Sequence, residues 1–190
     1  MCELRSYASI FLRKQLTVCG YAGNMRTFGF GPYSDVRSVS GRIKYQTDLS
    51  LHVQCSWRIV LDGQILVGCS DWWRPTASAT GATDADWDPA SGGSEQDEIL
   101  RNLLGDWPDE RKVLLNKRSM LFVTGVDVSD VNDVKIQFDK RYVLELFADG
   151  QAAEHWRIVD AQLGQHLIFE GNTLRMSQPP SSPGDCIQNA

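Results

Sequence analysis

Five side chains with chemical potential crowd residues 51–73 of this 190-residue chain: His52, Gln54, Arg58, Cys69 and Asp71. Together they could do acid–base or nucleophilic work. His52 would serve as base, Asp71 or Gln54 would orient its ring, Arg58 would hold an anionic group, and Cys69 would supply a thiolate. A second set in the same region suits binding instead. Trp72, Trp73 and Trp87 stand among Asp71, Asp84, Asp86 and Asp88, and tryptophan held at a surface commonly anchors an interface.

Which of these side chains meet depends on the strands that carry them. From 51 to 59 Leu51, Val53, Cys55, Trp57 and Ile59 alternate with His52, Gln54, Ser56 and Arg58, the period of a half-buried strand. Asp62-Gly63 follows between two β-rich runs and predicts a type I′ hairpin, whose two central residues both need positive φ. Counting outward sets Leu61 against Gln64, Ile59 against Leu66, Trp57 against Gly68 and Val53 against Trp72 on the core face. The polar face then pairs Ser56 with Cys69, Gln54 with Asp71 and His52 with Trp73, with Arg58 beside Val67. In this register His52 and Cys69 are too far apart along the strands to act as base and nucleophile. Cys55 and Cys69 point to opposite faces and cannot bridge.

Composition narrows the function classes. A formal charge of −5 and the lack of a basic run argue against nucleic-acid or anionic-lipid binding. No apolar stretch is long enough to cross a bilayer as a helix, and residues 1–14 lack the shape of a signal peptide. The five cysteines (Cys2, Cys19, Cys55, Cys69 and Cys186) are scattered, with no CxxC pair. They read as free thiols in a reducing cytoplasm. The three histidines show no metal-ligand spacing, so no metal or other cofactor is implied.

The rest of the chain reads as α+β, with two or three helices against one large bent antiparallel sheet or two packed sheets. Residues 2–14 have helical spacing, and 16–20 with 25–30 form a hairpin around Ala22-Gly23-Asn24. Residues 34–48 are too polar and aperiodic to assign beyond an edge strand at 42–45. Residues 75–94 form a small-residue loop expected to be mobile. Ser94 caps a helix carrying Ile99, Leu100, Leu103 and Leu104 and ending near Gly105, and a second helix is expected over 108–116. Strands at 120–128, 134–138, 142–147, 155–160 and 167–169 are joined by short turns and must be antiparallel. One domain thus covers 1–176, and 177–190 is a loose tail. The tetrapeptide Trp57-Arg58-Ile59-Val60 recurs as Trp156-Arg157-Ile158-Val159, an echo of duplication or of similar strand environments.

The run from Leu51 through Gln54-Cys55 and Trp57-Arg58-Ile59 to Asp62-Gly63, Ile65-Leu66-Val67-Gly68 and Asp71 resembles a motif of a family of small uncharacterised bacterial proteins. Leu144-Glu145-Leu146-Phe147 and His155-Trp156-Arg157 continue the resemblance, which spans about 27–176. Ser56 stands where that pattern has proline, which puts an edge-strand role for this position in doubt. The resemblance implies a bacterial cytosolic α+β domain and carries no activity. The preferred expectation is a small binding protein, immunity- or antitoxin-like in size and charge, using Trp73, Trp87, Asp71 and Arg58 toward a basic protein partner. An enzyme or small-ligand site built from His52, Gln54, Arg58 and Asp71 is the alternative.

Overall fold

The structure, a computed structural model, describes residues 7–23, 25–37, 41, 43–77, 87–89, 93–105, 113–139, 141–151 and 153–177. Two antiparallel sheets face each other across one core. The strands are β1 (Leu16–Ala22), β2 (Met25–Arg37), β3 (Ile43–Val53), β4 (Ser56–Leu61), β5 (Gln64–Gly68), β6 (Val113–Leu115), β7 (Val123–Val128), β8 (Val134–Phe138), β9 (Tyr142–Phe147), β10 (Glu154–Asp160), β11 (Gln165–Glu170) and β12 (Thr173–Ser177). Seven of them run in the order β12-β11-β10-β3-β2-β1-β6, and five in the order β5-β4-β9-β8-β7. Short links force antiparallel neighbours, as the turn spacing requires.

The sheets are stitched together along both sides. On one side β3 passes into β4 across 54–55, and β3 pairs with β10 as β4 pairs with β9, so that a paired ribbon bends from one sheet to the other. The amides of Gln54 and Cys55 both donate to the His155 carbonyl there, at 2.8 and 3.1 Å. On the other side Gln15 bridges Phe122, and the Leu16 amide donates to Leu121 O at 2.9 Å. Aromatic pairs fill the space between: Phe30 stacks on Phe138 with ring centres 6.3 Å apart, and Phe28 meets Trp57 edge-on at 5.3 Å.

The Asp62-Gly63 turn forms as its chemistry dictates, with φ of 50° and 80°, and Leu61 pairs with Gln64. Beyond Val60 a bulge absorbs Leu66, so Ile59 opposes Val67 and Arg58, not Trp57, opposes Gly68. Three further expectations are corrected. Residues 51–61 are two strands in different sheets rather than one. Cys69–Trp73 is a 3₁₀ turn, held by Asp71 Oδ2 accepting from the Gly68 amide at 2.8 Å. The cross-strand pairs proposed for His52, Val53, Gln54 and Ser56 with residues 69–73 therefore do not exist.

Among the described residues there is one α-helix of eight or more residues, not two or three, with 3₁₀ turns at Ser9–Phe11 and Cys69–Trp73. This helix, α1 (Glu95–Leu104), begins where the cap predicts, because Ser94 Oγ accepts from the Asp97 amide at 3.1 Å. Its last turn closes on Gly105 at φ 137°, a conformation that suits a residue with no Cβ. Leu100 and Leu104 are fully buried against the sheets. Of the expected second helix, Val113–Leu115 is a strand instead, pairing Val18 with Leu115 on the open edge of β1. Residues 108–112, 2–6 and 178–190 lie outside the described residues. The 3₁₀ turn at Ser9–Phe11 stands within the expected first helix. Ser177, assigned to the tail, closes β12 opposite His166. Residues 34–37 and 43–48 extend β2 and β3 as a paired ribbon, with Tyr33 edge-on to Tyr45 at 5.4 Å. No helix among the described residues is long and apolar enough to cross a membrane.

Candidate functional site

The bend at 54–55 scatters the residues that sequence placed on one polar face. His52 lies on the outer face of the seven-stranded sheet, between Thr27 on β2 and Arg157 on β10. Arg58 lies on the outer face of the five-stranded sheet. Its Nε donates to Glu145 Oε2 at 2.6 Å, Lys135 Nζ lies 3.0 Å from the other oxygen, and the guanidinium sits 4.9 Å over Phe147. Burial raises the Glu145 carboxyl, but hydrogen bonds from Lys135 and Arg58 outweigh it and hold the group below its ordinary range. Asp71 is used locally, capping Gly68 and lying 3.8 Å from Arg74. Gln54 and Cys69 alone of this set share a cleft, so no base–nucleophile pair of His52 and Cys69 is formed.

His52 has a measurable consequence of its own. Burial, with help from the charges of Arg157 and His166 and against the pull of Glu154, pushes its pKa down to about 4. An unfolded histidine titrates near 6.5, so between these values the unfolded chain binds the extra proton. The stabilisation is whole above about pH 6.5 and is lost as pH falls toward 4. Discounted for the partial exposure of His52, the loss is about 2 kcal/mol. Urea denaturation at pH 7 and pH 4.5 should show it as a difference between wild type and His52→Gln, the variant being the less pH-dependent. Equal pH dependence of the two would remove His52 from the account.

The cleft opens at one end of the sandwich, where five pieces of chain converge. The β1–β2 turn brings Tyr21, Gly23, Met25 and Arg26, and the bend brings Gln54, Cys55, Ser56 and Trp57. The 3₁₀ turn adds Cys69, Trp72 and Trp73, while Gln96 and Asp149 close it from α1 and the β9–β10 crossing. Its volume is about 190 Å³, less than the roughly 300–1,000 Å³ usual for small-molecule sites. Cys55 and Cys69 therefore line one cavity rather than facing opposite ways, and Cys19, Cys55 and Cys69 are all free thiols. Burial and the nearby Asp149 carboxylate push the Cys55 thiol up to about 12, so it stays protonated and unreactive at neutral pH.

The floor is a buried charge cluster. Arg26, only 3% exposed, donates through Nη2 to Gln96 Oε1 and lies 3.4 Å from Asp97 Oδ1. Its guanidinium sits 5.4 Å from the ring centres of both Tyr21 and Trp72, which meet edge-on at 4.8 Å. Gln96 Nε2 in turn donates to Gly68 O at 2.7 Å, so α1 fixes the start of the 3₁₀ turn and with it the rim. Trp72 is half-buried here rather than a core residue.

The mouth is different in character. Trp73 is 68% exposed, and the Asp149 side chain is 57% exposed. Asp149 accepts from Ser56 Oγ at 2.9 Å and is backed by His155, whose buried ring contacts Gly150 O at 2.9 Å. Trp87 is partly buried and Asp88 exposed, while Asp84 and Asp86 lie outside the described residues.

Arg26, Asp97 and Asp149 were not among the candidates read from sequence. A signal for the first existed: Arg26 shares its period-2 face with Phe28 and Phe30, and a lone charge on an apolar face must find a buried partner. Comparison of the chain with protein-family models, with curated proteins and with solved structures gave no match.

Proposed function

We propose that this chain is a binding protein that receives a basic segment of a protein partner at the cleft, with Trp73 as the anchor. The observation that carries this reading is the largely exposed Trp73 on the rim of a concave site that also presents the Asp149 carboxylate. Exposed tryptophan beside a carboxylate offers both a ring face and a counter-charge to a lysine or arginine side chain. The cavity is sized for a side chain rather than a whole cofactor. The net charge of −5 favours a cationic partner at a distance as well.

A capped tetralysine amide titrated into the protein at low salt should perturb tryptophan emission and bind more weakly as salt is raised. Trp73→Ala should weaken that binding at least tenfold with little change in stability, because the side chain is mostly in water. Equal binding of a capped tetraglutamate amide, or an unchanged affinity in Trp73→Ala, would refute the assignment.

A further inference from the structure

Aromatic side chains surround the cleft described above. Tyr21, Trp57, Trp72 and Trp73 line it, together with the thioether of Met25. Two of these rings already hold a cation, since the Arg26 guanidinium lies 5.4 Å from the ring centres of both Tyr21 and Trp72. Asp97 balances that charge at 3.4 Å, so the sign met by a guest is set by Asp149 at the mouth. Trp73, 68% exposed, is the ring best placed for a cation arriving from outside.

Few hydrogen-bond acceptors are spare among the described residues of the cleft. Gln96 Oε1 accepts from Arg26, and Gln96 Nε2 donates to Gly68 O at 2.7 Å and to Cys69 O at 3.5 Å. Asp149 Oδ2 accepts from Ser56 Oγ at 2.9 Å, while Oδ1 lies 3.8 Å from His155 Nδ1. A lysine ammonium carries three donors and a tightly held hydration shell. Entering here, it would exchange that water for few acceptors, at a cost in free energy. Methylation relieves the mismatch. A quaternary ammonium keeps the full charge, donates no hydrogen bond, and presents methyl groups that pack on ring faces and on sulfur. Three methyls and their nitrogen fill about four water volumes, roughly 120 Å³. The cleft, at about 190 Å³, admits them.

From these features we infer that the cation received at the cleft is a trimethylated lysine side chain of the partner segment, its methyl groups against Trp73 and its charge paired with Asp149. This rests on the basic-partner reading above and names the form of the base.

A capped tetralysine amide and the same peptide trimethylated at every Nζ carry equal charge. The trimethylated peptide is expected to bind the full chain tighter by about fivefold or more, the order of one partly desolvated contact between a cation and a ring. Trp73→Phe should keep that preference, and Trp73→Leu, which offers apolar contact without a π face, should reduce it below about twofold. Choline chloride at matched ionic strength should displace the trimethylated peptide, and its neutral analogue with carbon in place of the ammonium nitrogen should not. Equal affinity of the two peptides, with binding still dependent on Trp73, would overturn the methyl preference and leave the basic-partner reading standing. Equal displacement by choline and its carbon analogue would overturn the cation contact in favour of a merely apolar pocket. Choline bound as tightly as the trimethylated peptide would overturn the lysine assignment. If neither peptide binds, both readings fall together.

Discussion

Asp97→Ala is expected to lower the free energy of unfolding by about 3–5 kcal/mol. Arg26 and Asp97 are each almost wholly buried, and deleting the carboxylate leaves a buried guanidinium without its counter-charge. Gln96 still accepts from Nη2, but a neutral amide oxygen does not balance a full charge. The loss should spread to the rim, since Gln96 and Asp97 open the helix whose first turn holds Gly68. Removing both charges has a different outcome. Arg26→Met/Asp97→Leu should stay within about 1–2 kcal/mol of wild type, because the desolvation of two ions is relieved along with their attraction. Urea denaturation checks both, with the midpoint shifting and the slope unchanged. A double variant as unstable as Asp97→Ala would mean that packing of Arg26 on Tyr21 and Trp72, rather than charge balance, holds this end of the sandwich.

The reach and the limit of sequence reasoning meet at residues 54–55. Leu51, Val53, Cys55, Trp57 and Ile59 are all buried, so the alternation read from sequence holds. Yet the chain changes sheets in the middle of it. Both sheets face the same core, so an inward position before the bend stays inward after it, and hydrophobic periodicity leaves no mark at the switch. The turn at 62–63 and the helix from Ser94 to Gly105 were legible because each depends on local backbone chemistry: positive φ, a capping hydroxyl and a C-terminal glycine. The bulge at Leu66 and the 3₁₀ turn at Cys69–Trp73 were not, since one inserted residue and a five-residue turn are shorter than any period that could be detected. The site inherits that limit. Its decisive pairs join Arg26 to Asp97 and Ser56 to Asp149 across 71 and 93 residues of chain, and only the closed fold brings them together.

Trp156→Ala should destabilise the protein by about 3–5 kcal/mol, the range for emptying a large aromatic site in a packed core. The indole is 1% exposed, stacks on Phe169 with ring centres 5.3 Å apart, and sits on the strand residue that opposes Val53. Its Nε1–H is buried with no acceptor among the described residues, a desolvation penalty of about 1–3 kcal/mol that the wild type carries. Trp156→Phe keeps a ring against Phe169 and removes that donor, so the lost contact area and the relieved penalty oppose each other and the net change should be under about 1.5 kcal/mol. Trp57 supplies the comparison. It is the first inward residue of β4 after the chain crosses to the five-stranded sheet, as Trp156 is near the start of β10 after the crossing back, and it meets Phe28 edge-on. If the repeated Trp-Arg-Ile-Val reflects two equivalent positions on one bent ribbon, Trp57→Ala should cost about as much as Trp156→Ala. Thermal and urea unfolding of the three variants tests this. A Phe substitution at 156 as damaging as alanine would show that the indole N–H has an acceptor after all, and a mild Trp57→Ala would show that the two strands only share letters.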